Sequence, residues 1–102
     1  MANARVVLFG ASGTMGFEAF KELWRRRKFY DITLLVRPSQ ANRARFRRYA
    51  RQAKLSNRSR SGVSEGQGLR IIWGDATRYE DVELAIRGAD VVLDAMAYIS
   101  PQ

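Results

Sequence analysis

Apolar and polar residues fall into blocks along this chain, and the blocks change period. Residues 6–9, Val-Val-Leu-Phe, make a short unbroken apolar run ended by Gly10. Such a run predicts a strand buried on both faces, as in a parallel sheet. From Thr14 or Met15 onward the spacing turns helical. Ala19, Phe20, Leu23 and Trp24 share one face, and Lys21, Glu22 and Arg25 the other. The tail Arg25-Arg26-Arg27-Lys28 suits the negative end of that helix's dipole. Residues 32–36, Ile-Thr-Leu-Leu-Val, predict a second buried strand, stopped by Pro38. Ser39 is placed to cap a second helix running to about Leu55, with Phe46, Tyr49, Ala50 and Ala53 on its apolar face. Residues 56–68, rich in Ser, Gly, Asn and Arg, read as a flexible basic loop. Residues 69–73 predict a third strand. Thr77 and Glu80 then have capping-box spacing before a helix whose face carries Val82, Ala85 and Ile86, with Gly88 at its C′ position. Val91-Val92-Leu93 predicts a fourth strand.

The order strand, helix, strand, helix, strand, helix, strand predicts the α/β class. It implies right-handed crossovers and a parallel sheet with helices on both faces. The expected strand order is 3-2-1-4, with the ligand crevice between strands 1 and 4. Residues 1–102 are expected to form one domain, the N-terminal half of a Rossmann-type doubly wound sheet. Such a sheet normally continues past its fourth strand, and here Pro101 and Gln102 follow almost at once. The chain is therefore expected to be truncated, with a neighbour missing beside its fourth strand.

Composition narrows the chemistry. The chain has no Cys and no His. Disulfides, the usual zinc and copper ligands, and Ser–His or Cys–His catalysis are excluded within it. No apolar run is long enough for a signal peptide or a membrane span, so a soluble, cytoplasmic protein is expected. The formal charge of +8 favours anionic partners. Between Asn42 and Arg60 lie eight cationic residues and no acidic one: Arg43, Arg45, Arg47, Arg48, Arg51, Lys54, Arg58 and Arg60. Nucleic-acid binding through phosphates is one reading of that segment. The favoured one is a solvated helix face whose charge draws in cofactor phosphates, because no aromatics are interleaved as stacking platforms.

Gly10-Ala11-Ser12-Gly13-Thr14-Met15-Gly16 has the form G-x-x-G-x-x-G and joins the first strand to the first helix, the context that gives such a motif meaning. Gly10 permits a tight turn, Gly13 lets a pyrophosphate approach the backbone, and Gly16 allows close helix–strand packing. Free N–H groups at the helix start, around Thr14, Met15 and Gly16, would hold phosphates, with hydroxyl donors from Ser12 and Thr14. A glycine-rich turn without a ligand is the alternative.

At the end of the second strand, where an acidic residue commonly binds the adenosine ribose, stands Arg37. Its charged fork suits a 2′-phosphate, helped by Ser39 and by Asn42 or Arg43, which predicts NADP(H) in preference to NAD(H). An exposed strand-end arginine without a ligand is the alternative. Asp75 is placed to accept from the adenine amino group, with the Ala76 backbone beside it; helix capping by Asp75 or Thr77 is the competing role. Ala95, Met96 and Ala97 end the fourth strand at the crevice, where small residues admit a cofactor ribose or simply pack. Asp94 either faces the site or pairs with an arginine.

The glycine turn, Val36-Arg37-Pro38-Ser39, Gly74-Asp75 and Gly88-Ala89-Asp90-Val91-Val92 together resemble the extended short-chain dehydrogenase/reductase family, within it the NAD(P)-dependent epimerase/dehydratase group. The resemblance covers nearly the whole chain. It departs at Phe9, where Thr or Ser often precedes the first glycine. It implies an oxidoreductase or epimerase acting on a sugar nucleotide or a small hydroxy or keto compound. A Tyr-x-x-x-Lys pair and an upstream Ser or Thr would carry the chemistry. This chain has no such pair: Tyr49 and Lys54 are one residue too far apart, and no catalytic residue is assigned to Tyr98 or Ser100. Catalytic residues and the substrate domain are expected beyond Gln102. Two other functions remain open, an NADP(H)-sensing regulatory protein of the same fold and a nucleic-acid-binding module.

Overall fold

The computed structural model describes residues 3–56 and 62–95. It is an α/β structure whose elements run β1 (Ala4–Phe9), α1 (Thr14–Arg25), β2 (Tyr30–Val36), α2 (Gln40–Gln52), β3 (Val63–Glu65), β4 (Leu69–Trp73), α3 (Tyr79–Ile86) and β5 (Val91–Asp94). One sheet of five strands has the order β3-β4-β2-β1-β5. β4, β2, β1 and β5 pair in parallel, with Leu8 opposite Leu34 and Leu93, and Leu34 opposite Ile71. Among the described residues no helix is long and apolar enough to cross a membrane.

β3 corrects the reading of residues 56–68 as a loop. It adds an antiparallel edge strand, Val63 opposite Ile72 and Glu65 opposite Arg70. The Trp73 indole N–H donates to the Ser64 hydroxyl at 3.2 Å, tying the edge down. Three residues are too few to show a period of two, and β3 exists because β4 offers it an open ladder. Residues 57–61 of the expected loop lie outside the described residues.

The sheet separates two apolar clusters. On one face Phe20 and Trp24 of α1 meet Phe46 and Tyr49 of α2 above Leu8, Leu34 and Ile71. Their rings pack edge-on: Phe20 to Tyr49 at 4.8 Å, Phe20 to Phe46 at 5.3 Å, Trp24 to Tyr49 at 5.2 Å. That arrangement sets positive ring edges against negative faces. On the other face α3 places Ala85, with Val82 and Leu84 beside it, over Val7, Phe9, Leu35 and Ile72. Ile86, expected on the apolar face of this helix, is 41% exposed instead. It stands in the last turn, just before the Gly88 reversal (φ 76°) lifts the chain away. β5 is an edge strand, and Val91, Val92 and Leu93 are all exposed.

Two helix ends differ from expectation. α2 stops three residues before Leu55, because Lys54 adopts a left-handed conformation (φ 55°). Its N–H bonds the Arg51 carbonyl, and the Leu55 N–H bonds the Ala50 carbonyl, closing a Schellman motif. The N-cap of α3 is Arg78, without a side-chain bond, so the Thr77/Glu80 capping box does not form. At the end of α1, Arg27 donates to the Trp24 carbonyl at 3.0 Å, satisfying a terminal acceptor as the cationic tail predicts.

Phe20 is fully buried at the centre of the aromatic cluster. Phe20→Ala should cost about 3–5 kcal/mol, read as a lower urea midpoint by circular dichroism. A loss under about 1 kcal/mol would show that the cluster repacks. Lys54→Gly should stabilise by about 1 kcal/mol through relief of left-handed strain. No rise in Tm would show that Lys54 is not strained.

Candidate functional site

Backbone pairing at the C-terminal ends of the strands assembles one site. The Gly74 N–H donates to the Val36 carbonyl at 2.9 Å, which carries β4's exit alongside Arg37. The Ala95 N–H donates to the Phe9 carbonyl at 3.0 Å, which brings the end of β5 beside Gly10. A cavity of about 340 Å³ lies between these exits and the glycine turn. It is lined by Gly10, Ser12 and Gly13 from the turn, by Val36 of β2 and Arg37 just after it, by Asp75, Ala76 and Thr77 after β4, and by Ala95.

The three glycines are held for different physical reasons. Gly10 has φ 82°, a left-handed angle that a side chain would strain. Gly16 is buried, and a Cβ there would lie 1.6 Å from the Gly10 carbonyl oxygen. Gly13 is exposed, has an ordinary φ of −79°, and a Cβ would meet nothing nearer than the Gly10 oxygen at 3.5 Å. Nothing within the fold demands glycine at position 13.

Gly13 is the N-cap of α1. No side chain caps this helix, and its first turn holds no acidic residue. α2 has the Ser39 hydroxyl at its start, and α3 has Glu80 and Asp81 in its first turn. The helix's own first turn and cap therefore supply no anion to the N-terminal N–H groups and positive dipole end of α1. Thr14 and Met15 are exposed in this first turn and do not line the cavity.

Arg37 is exposed at the cavity rim, and its backbone is clamped. Its carbonyl accepts from the Ser39 N–H at 2.9 Å and from the Asn42 side-chain amide at 3.0 Å. The Ser39 hydroxyl accepts from the Asn42 N–H at 3.1 Å. Ser39 and Asn42, expected as phosphate donors, thus orient the loop that carries Arg37. Arg43 lies with its guanidinium 4.5 Å from the Trp73 ring centroid.

Asp75 Oδ1 accepts from both the N–H and the hydroxyl of Thr77, at 2.9 and 2.8 Å. The Asp75 N–H donates to Asp81 Oδ2 at 2.9 Å, so α3 holds the loop from below. The two Thr77 hydrogen bonds hold the Asp75 carboxyl below the usual aspartate range. Partial burial opposes this, and the Arg37 and Arg78 guanidiniums add to it. Neither Asp75 nor Thr77 caps α3; they form a local turn instead.

An adjoining cavity of about 550 Å³ shares Arg37, Gly74 and Asp75 and adds Trp73, Arg78 and Asp81. Sequence reasoning missed Arg78 and Trp73 here. The signal for Arg78 was its place just past Asp75-Ala76-Thr77, directly before a helix. Ala95 stands where expected, whereas Met96 and Ala97 lie outside the described residues. Asp94 pairs in register with Phe9 at the end of β5. Among the described residues no group of three or more acidic side chains could hold a metal ion.

A scan against protein-family models and a search of curated proteins find no match to this chain.

A carboxyl held low contributes stability that is present at neutral pH and lost as pH falls through its lowered value. Thr77→Val removes the hydroxyl bond and keeps the backbone one. The Asp75 carboxyl titration, followed by NMR, should then move up toward the ordinary aspartate value of about 3.9. Acid unfolding should begin at higher pH. An unmoved titration would assign the effect to the retained Thr77 backbone N–H bond and the two arginines, and not to the hydroxyl.

Proposed function

We propose that this chain binds a dinucleotide through a Rossmann-type sheet, with NADP(H) preferred over NAD(H). The convergence of the glycine turn, Arg37, Asp75-Ala76 and Ala95 on one cavity carries the proposal. Three features support it physically. The uncapped start of α1 offers N–H donors and a positive dipole end to a pyrophosphate. Gly13 leaves open a surface that internal packing does not require to be open, which suits close approach of phosphate to backbone. Arg37 and Arg78 line the two joined cavities, where a 2′-phosphate would meet planar cationic forks.

In this reading the adenosine end lies between Arg37 and Asp75, the pyrophosphate on Gly13 and the α1 start, and the nicotinamide half toward Ala95. The cofactor would supply hydride chemistry; the protein groups bind it and set its direction. The glycine turn, Val36-Arg37-Pro38-Ser39, Gly74-Asp75 and Gly88-Ala89-Asp90-Val91-Val92 resemble the extended short-chain dehydrogenase/reductase family, in its NAD(P)-dependent epimerase/dehydratase group. An oxidoreductase or epimerase is the activity that resemblance supports. The chain has no Tyr-x-x-x-Lys pair, so it is assigned cofactor binding and no proton-transfer step.

Trp73 lines the adjoining cavity and is partly exposed, which makes it a reporter. NADPH should change tryptophan fluorescence saturably and bind more tightly than NADH. Arg37→Asp should weaken NADPH at least about tenfold, the loss of a charge-assisted bond, and leave NADH within a few-fold. Equal losses for both would remove Arg37 from 2′-phosphate recognition. A folded chain that binds neither would overturn the proposal.

A further inference from the structure

The net charge of this protein is concentrated on one helix, away from the cavities at the strand ends. No acidic residue occurs from Ile32 to Ser64, while α2 alone carries five arginines. Among the described residues the ion pairs join Lys21 to Glu18, Arg25 and Arg26 to Glu22, Arg70 to Glu65, and Arg87 to Glu83. None involves α2.

The arginines of α2 divide by geometry. Phe46 and Tyr49 point into the core, so Arg43 and Arg45 flank the buried face. Each flanking guanidinium lies over a ring, Arg43 over Trp73 and Arg45 over Phe17 at 4.8 Å. Arg47, Arg48 and Arg51 form the exposed outer ridge at i, i+3 and i, i+4 spacing, with Lys54 beyond them; the Arg48 guanidinium also lies 5.1 Å from the Tyr49 ring centroid. A groove of about 310 Å³ runs along Arg47, Arg51 and Lys54, floored by Ala50 and Leu55. Like charges at this spacing repel, and the helix holds them without a counter-charge. An anionic partner relieves that repulsion.

We propose that the outer ridge of α2 binds the phosphate backbone of duplex nucleic acid without reading its sequence. Guanidinium forks match phosphate oxygens. Single strands are a poorer partner, because the α2 aromatics are buried and none is presented for base stacking. An acidic membrane is also poorer, because the apolar face of α2 is taken by the core and the ridge has no apolar side chain to insert. The ridge arginines do not line the 340 Å³ cavity, so this binding is independent of the dinucleotide.

The test is fluorescence anisotropy of a labelled, mixed-sequence DNA duplex, titrated with the chain between about 50 and 200 mM salt. Four phosphates neutralised by Arg47, Arg48, Arg51 and Lys54 should give log K against log salt a slope of about −3 to −4. The triple variant Arg47→Gln, Arg48→Gln, Arg51→Gln keeps good helix formers. It should bind at least about tenfold more weakly with a slope shallower by about three, while circular dichroism and NADPH binding stay unchanged. Absence of duplex binding overturns the proposal, as does a variant that binds like the parent. Phosphatidylserine vesicles bound more tightly than the duplex, and lost in the triple variant, would overturn it in favour of a membrane.

Discussion

The first turn of α1 lies so close to the end of β1 that one methyl group at residue 16 would overlap the Gly10 carbonyl. This contact sets the position of the helix start relative to the sheet. Gly10 turns the chain through a left-handed angle, Gly16 lets the helix settle, and the positive end of α1 then stands at the C-terminal edge of the strands. The aromatic cluster of Phe20, Trp24, Phe46 and Tyr49 locks α1 and α2 over the same face. With α1 pinned at both ends, the cavity between the glycine turn, Arg37 and Asp75 follows from backbone pairing alone.

The site is built with economy of side chains. Ser39 and Asn42 spend their hydrogen bonds on the Arg37 backbone, and Thr77 and Asp81 hold Asp75 and its loop. Four polar residues thereby fix two others at the rim, leaving the Arg37 guanidinium directed by its loop and not by an ion pair. Electrostatics act in one direction throughout. The uncapped helix start, Arg37 and Arg78 all favour an anion, and Asp75, kept ionised, is the acidic counterweight.

The surplus charge divides the molecule into two regions. The strand-end cavities present a few cations with their partners, suited to one small anion. The α2 ridge presents a row of cations with no ion pair among the described residues, suited to an extended one. Arg43, stacked on Trp73 at the N-terminal end of α2, stands between them. The edge strand β5, with Val91, Val92 and Leu93 exposed, is the least covered part of the sheet.

The alternation of apolar runs with helical periods determined the α/β class, the parallel core strands and the helix faces, because period depends only on local spacing. The glycine turn and its setting between strand and helix were legible for the same reason, as was the Ser39 cap, a contact of three residues. Local pattern misled wherever the partner was distant or weakly encoded. β3 was invisible, since Val63-Ser64-Glu65 becomes a strand only beside β4. Ile86 shares a helical face with Val82 and Ala85 by spacing, yet it is exposed where its helix ends against the Gly88 reversal. Thr77 and Glu80 had the spacing of a capping box, yet the Asp75 carboxylate bound Thr77 first. Lys54 ended α2 early in a conformation its residue type does not advertise. Only the tertiary structure brought Arg78 and Trp73 to the site and stacked Arg43 on a ring thirty residues away in sequence. Those contacts form between strand exits that parallel pairing sets side by side, and no spacing along the chain encodes them.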